Sequence, residues 1–168
     1  MRSMDARPGR PAGRGLQHRE LWVHEKGLPH MCPQPLVDHL GQRILVATDL
    51  GDDSAGVDAR AIELAEEAGA RLLVLAIVPR EAMTDPSYQK RLGALVRRAR
   101  RRGIAAEGRI VSGDPADAIL RAATASRADA IVIGDAQWRG WKDAGCVSGH
   151  VILHAPCRVF VTHGHTAA

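Results

Sequence analysis

This chain has few aromatic residues, few cysteines and no long apolar run. Phe, Trp and Tyr make up 3% of it, so the stacking platforms on which single-stranded nucleic acids lie are scarcely available. Its three cysteines, Cys32, Cys146 and Cys157, are odd in number and have neither CxxC nor zinc spacing. Neither a disulfide framework nor a metal knuckle is indicated, and reduced thiols are expected. No apolar stretch approaches the roughly 20 residues that cross a bilayer, and Arg and Pro stand at the N-terminus where a secretory signal has its apolar core. The expectation is a cytoplasmic protein with no membrane partner.

The 168 residues are 45% hydrophobic and 25% charged, which suits one domain with a real core. The net charge of +4 comes mainly from arginine. GC-rich coding produces that bias as readily as selection for an anionic partner, so the charge says little. Residues 1–42 differ from the rest: Arg, Gly and Pro dominate Met1–Gly15, Pro29, Pro33 and Pro35 recur, and no helical or strand period persists. They read as a flexible arm, or as the product of a translation start placed too early, with Met31 as the alternative.

From Arg43 onward strands and helices alternate at the spacing of βαβ units, predicting a parallel sheet with helices on both faces. RILVAT is a buried strand. Asp53 or Ser54 then caps a helix with inner residues Val57, Ala61, Leu64, Ala65 and Ala68, stopped by Gly69. RLLVLAIV (71–78) is the second strand. Pro79 and Pro86 bound a connection, and Leu92, Leu95, Val96 and Ala99 mark the inner stripe of a helix ending at Gly103. Arg97, Arg98, Arg100, Arg101 and Arg102 make up its polar side and suit a helix C-terminus, so nucleic-acid binding is not expected from them. Residues 105–111 form the third strand. Asp114 and Pro115 are an N-cap and first helical residue for a helix to about Arg127. Residues 129–134 are the fourth strand, Cys146–His154 a short helix, and CRVFVT (157–162) the last strand.

Four segments in this order, ILVATD, GDPADAIL (113–120), ADAIVIG (128–134) and HAPC (154–157) before a strand, resemble the universal stress protein family. The resemblance covers about residues 43–163, leaving 164–168 as a tail. It implies an α/β, Rossmann-like fold: a single open five-stranded parallel sheet of order 3-2-1-4-5. It also implies a homodimer through the last strand. Many family members bind ATP through a loop G-x2-G-x9-G-[ST] after the fourth strand, where glycines let backbone N–H groups approach the phosphates. The resemblance places Asp49 and the region of Val78 at the adenine end, and Gly134, Gly140, Gly145 and Cys146 at the phosphate end.

The phosphate half departs from that pattern. Gln137 replaces the second glycine, leaving Gly140 as a displaced substitute, and Cys146 replaces Ser or Thr. Ten residues separate Gly134 from Gly145 where the pattern has twelve. Trp138 and Trp141 add bulk that can cover or fill a pocket, while Arg139 and Lys142 are offset by Asp135 and Asp143. The expected function is a stress-response regulatory or interaction module with weak or lost ATP binding and an unidentified protein partner. The alternative is an ATP- or AMP-binding sensor using the shortened loop, with Mg²⁺ held near Asp52 and Asp53 if nucleotide binds.

No catalytic set is evident: there is no Ser-His-Asp order, no Walker lysine and no carboxylate pair with divided roles. For slow nucleotide hydrolysis no base can be named. His150 and His154 have a metal-compatible spacing but lack an HExxH glutamate. His163 and His165 lie in the tail. Cys146, at a helix start, is placed for a lowered thiol pKa and Cys157 for packing.

Overall fold

The computed structural model describes residues 41–134 and 147–162 in full and the backbone of 21–25 and 28–31. The strands are β1 (Leu21–Glu25), β2 (Leu28–Met31), β3 (Arg43–Thr48), β4 (Arg71–Ile77), β5 (Ala106–Val111), β6 (Ala130–Gly134) and β7 (Arg158–Thr162). The α-helices are α1 (Ala55–Ala68), α2 (Pro86–Arg101), α3 (Pro115–Ser126) and α4 (Val147–His154).

The five strands of the α/β unit are all parallel and ordered β5-β4-β3-β6-β7, which is the order 3-2-1-4-5. The apolar strand runs explain this, because a strand covered on both faces needs no polar alternation. Ile44, Val46, Leu72, Val74, Val132 and Phe160 face α1 and α2. Leu45, Leu73, Leu75, Ile131, Ile133 and Val161 face α3 and α4.

Local signals set most boundaries. Gly69 closes α1 in the left-handed region at φ 61°. Asp85 caps α2 by accepting from Ser87 N at 2.8 Å, and Asp114 caps α3 by accepting from Asp117 N at 2.9 Å, each followed by Pro. The expected side-chain cap of α1 is absent. A short 3-10 turn, Asp52–Ser54, leads into the helix, and Ser54 makes no cap bond because its hydroxyl turns back to Asp49.

Residues 21–31 correct the reading of 1–42 as an arm without regular structure. β1 pairs antiparallel with β2 and with β7, from Leu21↔Thr162 to His24↔Val159. The five residues of β1 and four of β2 are too short for a period to stand out, and the open edge of β7 supplies the pairing that local sequence does not. This edge is also the one that a partner in the expected homodimer would use.

β3 and β6 begin with a clamp. Asp129 accepts from Gln42 N and Arg43 N through Oδ2, at 2.8 and 2.9 Å. Gly41 lies against it at φ 69°, where a Cβ would come within 2.3 Å of the Asp129 Cβ. We therefore expect Gly41→Ala to destabilise the fold by about 1–3 kcal/mol, read as a fall in the urea midpoint at unchanged m-value.

Candidate functional site

Strands β3 and β6 are neighbours, yet β3 connects onward to β4 and β6 to β7, on opposite sides. The carboxyl ends at this reversal face a crevice, the usual ligand position in open α/β sheets. Asp49 follows β3, Val78 follows β4 on the flanking side, and Gly134 ends β6. The structure thus sets three of the sequence-selected residues on one crest. Gly140, Gly145 and Cys146 lie outside the described residues, as do Gln137, Trp138 and Trp141.

Asp49 is exposed, and its Oδ1 accepts from Gly51 N at 2.8 Å and from the Ser54 hydroxyl. Both bonds fall on one oxygen and fix the carboxylate's direction. The residue between, Leu50, is buried at φ 60°, a conformation unfavourable for a non-glycine residue. Two bonds hold it there: its N–H donates to Thr48 Oγ1 at 3.0 Å, and Arg91 Nη1 donates to its carbonyl at 3.2 Å. Asp52 and Asp53 are exposed in the turn before α1. Among the described residues, no group of three His, Cys, Asp or Glu is arranged for a metal ion.

Val78 is 2% exposed, and its N–H donates to Val111 O at 3.0 Å. Gly134 has a packing reason to be glycine, because a Cβ would stand 2.7 Å from Val57 Cγ2 of α1. Close approach of helix to strand, independent of any phosphate, therefore requires this residue. Ser148, fully buried at the start of α4, points its hydroxyl at Gly134 O at 3.5 Å.

His150 and His154 are stacked with ring centroids 4.3 Å apart, and His154 Nδ1 donates to the His150 carbonyl at 3.0 Å. One ring nitrogen is thus engaged by the helix itself. Burial, followed by the Asp129 charge, pushes the Cys157 thiol up to about 11, so it remains protonated and packs.

Sequence reading missed Asp58. It is 7% exposed on α1, with Oδ2 receiving the Thr48 hydroxyl at 3.4 Å and Oδ1 buried without a partner. The signal was present: Ala61, Ile62 and Ala65 follow at helical spacing, so the period itself puts position 58 on the inner stripe. Burial raises its carboxyl to about 6 from 3.8; the Thr48 bond and Arg98 oppose this and Asp49 adds to it.

The universal stress protein family model matches residues 41–163. The chain belongs to that family. A universal stress protein solved in complex with cAMP is 26% identical at a TM-score of 0.64, the match covering 74% of this chain and 98% of that one. The universal stress protein from Archaeoglobus fulgidus in complex with dAMP is 26% identical (TM-score 0.56; 73% and 98% covered). A family protein from Burkholderia pseudomallei is 28% identical (TM-score 0.56; 73% and 96% covered). No curated protein matches the chain. Two of these neighbours were thus solved with a nucleotide bound, cAMP in one and dAMP in the other. No helix among the described residues is long and apolar enough to cross a membrane.

The proton on Asp58 gives this universal stress protein a signed pH dependence. A folded pKa above the unfolded one contributes stability that is fully present below about 3.8 and lost as pH rises through about 6. Asp58→Asn keeps an acceptor for Thr48 and carries no charge. We expect it to stabilise the fold by about 1–3 kcal/mol at neutral pH and by progressively less towards pH ~4. Urea titrations of both proteins across that range check this.

Proposed function

We propose that this universal stress protein is a cytoplasmic regulatory module that reads an adenine mononucleotide and binds ATP weakly or not at all. The observation that carries the reading is the Asp49 carboxylate, held in one direction at the end of a central strand beside Val78, where a base and its ribose would lie. Adenine's amino group would donate to the Val78 carbonyl. The cAMP and dAMP complexes of two neighbours support a ligand with a single phosphate. The departures at Gln137 and Cys146 and the short Gly134–Gly145 spacing support the weakness toward a triphosphate. The module acts by binding a regulatory protein rather than by turnover.

Calorimetry of the full chain with AMP, cAMP and ATP, each with and without Mg²⁺, tests this. A mononucleotide should bind at least about tenfold tighter than ATP, a difference of about 1.4 kcal/mol, and Asp49→Ala should abolish the heat. Tighter binding of Mg²⁺-ATP would overturn this reading in favour of an ATP sensor built on Gly134, Gly140, Gly145 and the Cys146 N–H.

We further propose that two copies pair through β7 only when β1 is displaced, because a strand edge accepts one neighbour. By sedimentation, the full chain should be monomeric and a chain starting at Met31 dimeric. The same number of chains per particle in both would count against this.

A further inference from the structure

At the amino end of the sheet, opposite the nucleotide crest, lies a cavity of about 580 Å³ lined by Arg43, Arg71, Arg100, Arg109, Glu107 and Leu73 among others. That volume is in the range of small-molecule sites. Strand parity puts most of these side chains on one face. Arg43 and Arg71 share the face of Leu45 and Leu73, and Glu107 and Arg109 sit in register with Leu73 and Leu75. Helix α3 packs over β3 and β4 on this face and leaves β5 uncovered, so Glu107 and Arg109 are exposed.

The charges do not balance. Four guanidinium groups meet one carboxylate, and Glu107 is already paired with Arg109 at 3.1 Å. Arg100 Nε donates to Ala106 O at 3.0 Å, and Arg43 Nη1 to Ser126 O at 3.5 Å. Each of these bonds orients a guanidinium, and neither Arg43 nor Arg100 has an ion pair with a carboxylate among the described residues. Arg71 has no carboxylate within ion-pair distance among the described residues. Arg43 and Arg71 are Cα partners on adjacent strands, a like-charge juxtaposition that weakens a sheet unless an anion or solvent lies between.

The geometry points to a second ligand site at the amino end of the sheet, which takes a small phosphorylated compound carrying two or more negative charges. Guanidinium forks match phosphate oxygens in pairs, and Leu73 gives the floor an apolar surface for the ligand's body. Helix dipoles alone do not account for the cluster, because Arg43, Arg71 and Arg109 stand on strands rather than in a last helical turn.

The test is an amide NMR titration of the ¹⁵N-labelled full chain with tripolyphosphate, followed by AMP. Saturable shifts at Arg43, Arg71, Glu107 and Arg109 are expected from tripolyphosphate, with a Kd raised at least about tenfold in Arg71→Ala. AMP should instead shift Asp49 and Val78, and a failure there leaves the amino-end result standing. Arg109→Ala is the second variant should Arg71→Ala not fold, with the same loss expected. Shifts that do not saturate and spread over Arg97, Arg98 and Arg101, or a Kd unchanged by the substitutions, would reduce the cluster to solvated charge and overturn the proposal. So would a short DNA duplex that binds these amides more tightly than tripolyphosphate, with a steep loss in salt.

Discussion

The parallel pairing of β3 with β6 is the constraint on which the rest of this structure depends. Ile44, Leu45 and Val46 align with Ala130, Ile131 and Val132 across a long separation in sequence. Closing so long a loop has an entropic cost that only burial on both faces offsets, and all six of these residues are at most 1% exposed. Once the pair forms, β4 and β5 can only extend one side and β7 the other. The reversal between them creates the crest. Asp129 strengthens the same junction at its amino end by accepting from two backbone N–H groups of the entering strand.

That junction gives the two ends of the sheet opposite chemistry. At the carboxyl end the chain turns into the N-termini of α1 and α4, and the acidic Asp49, Asp52 and Asp53 gather there with Gly51 and Gly134, against the guanidinium of Arg91 at Leu50 O. At the amino end helices finish and strands begin, and arginines gather. Helix α1 links the crest to the core through Val57, which needs Gly134 bare, and through Asp58, which is buried under Thr48. A small displacement of α1 would therefore be felt at both β3 and β6. The strained Leu50 sits in this coupling, held by Thr48 on one side and Arg91 of α2 on the other.

Much of the fold was legible because its signals are local. The two-sided apolar strands, the Asp-Pro start of α3 and the glycine ending α1 each state their own structure, whereas Pro86, read as the end of a connection, is the first residue of α2. The failures were cases where local preference yielded to distant contacts. Ser54 looks like a cap, but the neighbouring carboxylate takes its hydroxyl. β1 and β2 have no strand signal of useful length and depend on an edge supplied by residues 158–162. Of the candidate site, Asp49 and Val78 were found at the strand ends where they stand. Asp58 was passed over because its charge masked a position that the helical period assigns to the core.

The sequence by itself determined the alternation of elements, the Asp114 cap of α3 and the family, since each depends on residues a few positions apart and on the period of burial. Only the tertiary structure decided what the polar groups do. It withheld water from Asp58 and so raised its pKa. It gave Gly134 a steric reason that no phosphate supplies, and it brought Arg43, Arg71, Arg100 and Arg109 around one cavity. Desolvation, close approach and charge clustering depend on which distant segments become neighbours, and no local pattern carries that information.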